Sequence, residues 1–183
     1  MSLSLAILIG GMTLTNNSDP AFAAAPVKDD PHAGLVQNWD KVITGTTRFT
    51  LLADFANAAV RDNETGLVWE QAPDNSTRNW QSARFSIGSC FNKIVGGKKG
   101  WRLPSVVELS SLVDSVNLNP ALPNGHPFTG VQSAAYWTAT SEIDRTTNAW
   151  IVVFGSGIVS AADKVANSFF IWCVRGGMNA DQY

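Results

Sequence analysis

The residues of this sequence whose types and spacing could do chemistry fall into three groups. The densest is cationic: Lys93, Lys98, Lys99 and Arg102 surround the Gly-rich run "GGKKG". Cations beside flexible backbone amides suit sulfate, carboxylate or phosphate groups. A solvated turn that keeps the domain soluble is the plainer reading, and the sequence favours it. The second group is aromatic, with Tyr136, Trp137 and Trp150 set among Thr and Asn in "YWTAT" and "TTNAW". Aromatic faces beside short polar side chains suit a sugar ring. In a two-faced sheet, however, every second residue is core, and for any single aromatic that reading is the stronger. The third group is rich in oxygen. Asp114, Asn117, Glu142, Asp144 and Asp163 could donate to calcium, but their spacing matches no regular calcium loop. No cofactor is therefore expected, and calcium is the one metal to consider.

Several function classes are disfavoured by what these groups lack. No nucleophile sits near a base, no carboxylates pair at short range, and "GGKKG" lacks the spacing of a phosphate-binding loop. The two His, His32 and His126, lie in a linker-like stretch and in a loop, so an activated Cys is not expected either. An enzyme is thus not predicted. A net charge of -2 argues against a dedicated nucleic-acid binder. With 45% hydrophobic and 15% charged residues, the chain can build a sizeable core. Its seven Trp bury much area while seeking a partner for each indole N–H.

Residues 1–23 read as a secretory signal peptide. The apolar run "LAILIGGM" is too short to span a bilayer and leads to the A-x-A site Ala21-Phe22-Ala23. The mature form then has no membrane span and is expected in the periplasm, outside the cell or on its surface; an uncleaved anchor is the alternative. Residues 24–47 form an N-terminal extension, 48–177 the domain, and 178–183 a tail. In an oxidising compartment Cys90 and Cys173 would most often pair, stabilising by roughly 3–5 kcal/mol. Two separate buried thiols are the other possibility.

"RFTLL" and "NAAVRD" read as strands, and "NETG" turns the latter onto "LVWEQA" as a hairpin. "STRNWQSARFSIGSCFNKIV" reads as the first helix. Trp80, Ala83, Ile87, Phe91 and Ile94 lie on its buried stripe with Cys90, capped by Thr77 or Asn79. In "GWRLPSVVELSSLVD", Ser105 and Glu108 spell a capping box and Pro104 stands just outside it. Val106, Leu109, Leu112, Val113 and Val116 form that helix's stripe. A Pro- and Gly-rich loop over 117–133 follows, and then short β-runs that read as an antiparallel meander. The expected class is α+β.

Taken in order, "DNETGLVWEQ", "NWQSARFSIGSC", "GWRLPSVVELSSLVD", "NPAL", "YWTATS", "AWIVVFGSGIV" and "CVRGG" resemble the Lcl C-terminal domain family, from about Arg61 to Gly177. That resemblance implies a C-type lectin-like fold, also shared by the formylglycine-generating enzymes. Two helices would flank a twisted antiparallel sheet, with ligands on a loop-rich face. It implies a Cys90–Cys173 disulfide, and it makes Trp101, Arg102, Leu103, Pro104, Ser105, Glu108 and Arg175 a fold signature. Arg102 would stack or bond to the last strand, with Arg175 as its counterpart. The family's namesake is a bacterial collagen-like adhesin that binds sulfated glycosaminoglycans. The implied function is an exported, non-catalytic, adhesin-like module for a glycan or other polyanionic surface polymer. Lys98, Lys99, Arg102, Trp137 and Trp150 are the candidate contacts. The alternative is a structural subunit of a surface assembly, by self-association or with a protein partner. An exposed apolar patch rimmed by polar residues would mark the latter.

Overall fold

The computed structural model describes residues 45–177. The expected signal peptide, most of the extension, His32 and the tail lie outside the described residues. Chain order runs α1 (Gly45–Arg48), β1 (Phe49–Leu51), β2 (Ala59–Asp62), β3 (Val68–Glu70), β4 (Asp74–Arg78) and α2 (Trp80–Phe85). There follow α3 (Val106–Ser110), β5 (Ala135–Ser141), β6 (Asn148–Val153), β7 (Ile158–Asp163), β8 (Phe169–Ile171) and β9 (Val174–Arg175). The class is α+β, as the sequence predicts. Among the described residues no helix is long and apolar enough to cross a membrane.

The hairpin forms where "NETG" places it. The Asp62 carboxylate accepts from the Glu64 amide and the Thr65 hydroxyl, both at 3.0 Å, while Gly66 adopts φ +77. That combination turns β2 onto β3 in the register Ala59↔Glu70 and Val60↔Trp69. Arg48 closes the corner from below, donating to both Asp62 oxygens at 3.0 and 2.8 Å.

The second predicted element differs more. Residues 76–95 are not one helix. The polar run "DNSTR" pairs as β4 with β8, and only Trp80–Phe85 is helical, capped by Asn79 Oδ1 accepting from the Ser82 amide at 2.9 Å. Gly88, at φ +81, carries the chain off the helical path, and the Arg78 guanidinium bonds its carbonyl. Cys90–Asn92 then makes one 3-10 turn. α3 begins where the capping box predicts: Ser105 Oγ accepts from the Glu108 amide at 3.2 Å, and Glu108 Oε2 accepts from the Ser105 amide at 2.8 Å. It ends after five residues, so Val116 falls beyond it and is exposed.

The strands make two sheets rather than one flanked sheet, in the orders β1-β2-β3-β9 and β4-β8-β5-β6-β7. β5, β6 and β7 do form a meander, but β8 does not continue it. β8 crosses back to lie parallel to β5 and antiparallel to β4. Three residues later β9 joins the other sheet beside β3. The segment Phe169–Arg175 thus belongs to both sheets. Around it pack an aromatic core of Trp69, Phe128, Tyr136, Phe154 and Trp172 and a second cluster with Trp101, Trp137 and Ile171. Cys90 and Cys173 are bonded within the second cluster, with Cα atoms 5.3 Å apart. Closing a loop of 83 residues stabilises by about 4.5 kcal/mol in the chain-entropy model.

Candidate functional site

The predicted cationic cluster is divided between internal partners. Lys93 Nζ meets Glu70 Oε1 at 2.6 Å, and the other Glu70 oxygen accepts from the Cys173 amide at 2.9 Å. Burial pushes the Glu70 carboxyl above its usual range even though Lys93 and the Cys173 amide pull it down. Arg102 forks onto Glu108 at 2.7 and 2.5 Å and reaches the Gly176 carbonyl at 2.6 Å. Burial raises the Glu108 carboxyl, but the Arg102 hydrogen bonds and the Ser105 amide outweigh it, and the group lies below its usual range. Lys98 and Lys99 are exposed, and their backbone is in structural use. The Lys98 carbonyl accepts from Trp101 Nε1 at 2.9 Å, and the Lys99 carbonyl from Arg175 Nε at 3.0 Å.

The residues of "WRLPS" lie between the core and the last strand. Trp101 and Leu103 are core. Arg102 pairs through its backbone with Val174, the first residue of β9, at 2.9 and 3.0 Å. The Pro104 carbonyl accepts from the Ala139 amide at 2.7 Å. Arg175 lies over the Phe55 ring, 5.6 Å from its centroid. Of the candidate sugar-stacking aromatics, Trp137 is fully enclosed. Its Nε1 donates to the Arg78 carbonyl at 2.8 Å and its ring packs 4.8 Å from Phe169, so it offers no face to a ligand. Trp150 is half-buried. Four of the oxygen donors are taken up in local hydrogen bonds. Asp114 caps Val116 and Asn117, Asp163 caps Val165 and Ala166, and Glu142 accepts from Asn148.

What the structure brings together instead is a groove of about 330 Å³ lined by Arg84, Phe85, Phe91, Arg102, Leu103, Ser105 and Ala139. Three stretches position it: the end of α2, the 3-10 turn, and the "RLPS" segment leading into α3, with Ala139 of β5. Phe85 is 62% exposed, Ile87 99%, Phe91 75% and Ile94 59%. Of these, Ile87, Phe91 and Ile94 are residues that a continuous helix would have turned inward. The cause is the disulfide turn. Ser89 and Cys90 are pulled into the core, so in a tight 3-10 turn the neighbouring Ile87 and Phe91 face out. Arg84 sits at the rim, 4.5 Å from the Trp80 ring centroid and 4.7 Å from that of Phe85. Among the described residues no carboxylate pairs with it. Sequence reasoning missed this groove. The signal that could have found it is "SIGS", where Gly88 between serines interrupts the apparent stripe.

Residues 58–175 match the model of the Lcl C-terminal domain, and the chain belongs to that family. No curated protein matches the chain.

Proposed function

We propose that this Lcl C-terminal domain is an exported, non-catalytic binding module that grips a protein partner in the groove beside α2. The fitting partner is a segment carrying a large apolar side chain next to a carboxylate. The observation that carries this reading is the exposed pair Phe85 and Phe91 lining the groove, rimmed by the carboxylate-free Arg84. An apolar floor of Leu103 and Ala139 accepts an anchor side chain, and the Arg84 guanidinium accepts an acidic neighbour. Exposed Phe and Ile cost solubility unless covered, and such patches mark protein contacts. Export is supported by the Cys90–Cys173 bond, which persists in oxidising compartments. Recognition of a glycan or sulfated polymer has weaker support. Trp137 is enclosed, Lys93 and Arg102 are engaged internally, and of the proposed contacts Lys98, Lys99 and the half-buried Trp150 remain.

The test sets a display library of peptides beside an array of neutral and sulfated glycans, probed with the mature protein with and without calcium. Peptides with an apolar–acidic pair are expected to bind. Phe91→Ala and Arg84→Ala should each weaken them about tenfold, the loss typical of an interface anchor. Glycan binding that both variants retain, with no peptide selected, would overturn the reading.

A further inference from the structure

The five-stranded sheet ends in two edges that the chain treats differently. β4 is protected: its register on β8 is irregular, its residues are polar, and Asp74 and Arg78 pair across it at 2.9 Å. Charge and irregularity are the usual means by which an edge refuses a further strand. β7, "IVSAAD", is less guarded: its one charge, Asp163, stands at its end. It keeps an unbroken six-residue register with β6 and carries neither Pro nor Lys. Ile158 and Val159 are 59% and 40% exposed.

The direction of its hydrogen-bonding groups can be read from one bond. The Lys164 amide donates to the Thr147 carbonyl at 3.0 Å, in line with the β6–β7 register. By strand alternation Ala162, Ser160 and Ile158 then turn their amides and carbonyls to β6, whereas Val159, Ala161 and Asp163 turn theirs outward. Asn167 Nδ2 already donates to the Asp163 carbonyl at 3.1 Å. Among the described residues, Val159 and Ala161 are left with both groups facing an open edge.

We propose that β7 is a pairing edge for a second copy of this chain, joined antiparallel about a two-fold axis at Ser160. In that register Val159 of each copy faces Ala161 of the other, so every free amide and carbonyl at these positions is matched and the occupied Asp163 carbonyl is not needed. Ser160 meets Ser160, and Ile158 lies against Ala162, so each large side chain has a small one opposite. No charge lies between Ile158 and Ala162, and Asp163 falls opposite Gly157, so no like charges meet. Such an isologous contact closes on itself and gives a dimer rather than a fibre. One strand pair buries less than the ~1,200 Å² of the smallest stable interfaces, so the dimer is weak and reversible. The surface is separate from the groove beside α2 and stands without it.

Ser160→Cys in the full chain is the direct test. Facing residues at the two-fold axis come within disulfide range, whereas Ser156 and its symmetry mate lie a strand length apart. Under mild oxidation Ser160→Cys should form a covalent dimer, and Ser156→Cys should stay monomeric. In sedimentation at matched concentration, wild type should show a reversible dimer that Ser160→Lys abolishes, because two ammonium groups would then meet. Phe91→Ala should leave that dimer unchanged. A wild-type chain that stays monomeric, cross-linking of Ser160→Cys no faster than of Ser156→Cys, or a dimer indifferent to Ser160→Lys each overturns the proposal.

Discussion

Glu70 and Glu108 invite comparison because they share so much. Each is buried, each faces one cation, and each accepts a backbone amide. Their carboxyl groups nonetheless shift in opposite directions. At Glu70 the cation is the single ammonium of Lys93, the site is the deeper of the two, and the Asp74 carboxylate adds repulsion. Burial therefore wins. At Glu108 the Arg102 fork serves both oxygens, and the capping amide of Ser105 adds a third donor, so hydrogen bonding wins. The difference teaches that an ion pair's geometry, more than its presence, decides whether burying a carboxylate is compensated. It also separates two tasks. Glu70 ties β3 to the disulfide segment, while Glu108 starts a helix and holds the Arg102 guanidinium that also reaches the Gly176 carbonyl after β9.

The comparison breaks if the two residues prove equally costly to remove. Glu70→Ala leaves Lys93 and the Cys173 amide without their partner in a largely dry site. It should cost about 3–5 kcal/mol in urea unfolding, the loss usual when one half of a buried pair is deleted. Glu108→Ala should cost less, about 1–2 kcal/mol. It removes half of a capping box, and the Arg102 guanidinium, 42% exposed and still bonded to the Gly176 carbonyl, can rehydrate. Equal losses in the two unfolding curves would sink the distinction.

A smaller effect sharpens it through pH. Glu108's folded pKa is depressed, so its contribution is present above the usual value of 4.5 and is lost as pH falls through the folded value. Glu70's is raised, so its contribution is full below 4.5 and is lost as pH rises through the folded value. On acidification from neutrality, Glu108→Gln should therefore lose stability less steeply than wild type, and Glu70→Gln more steeply. Urea midpoints measured across that range would show the opposite signs, and slopes that shift the same way would refute the pairing of causes.

What could be read in the sequence was what neighbouring residues decide between themselves. "NETG" turned as expected because Asp62, Thr65 and Gly66 carry the turn in their own side chains and φ angles. "SVVE" capped for the same reason. The β-runs of 135–163 alternate visibly and were found. Three features resisted, and each depends on distant residues. The polar "DNSTR" shows no alternation and is a strand because β8 arrives beside it from the far end of the domain. The stripe through Ile87, Phe91 and Ile94 has helical spacing, but the pull of Cys173 on Cys90 turns those side chains out. Lys93, Lys98, Lys99 and Arg102 are close in sequence, yet two of them are claimed by Glu70 and Glu108. The groove was invisible for the same cause, since it is what remains after those long-range claims are met.

The segment Phe169–Arg175, shared by both sheets, also sets an order in time. A chain that emerges from its amino end can close the β1–β3 hairpins and the β5–β7 meander early, from neighbours already present. Neither sheet is complete until its shared strand arrives, more than a hundred residues after β1. Until then Cys90 lacks its disulfide partner, β3 lacks its partner on one side, and β5 presents a bare flank. Such late, non-local closure slows folding compared with domains built from local contacts. The vulnerable state is thus a nearly complete domain, and the residues that end that vulnerability are among the last of the domain to appear.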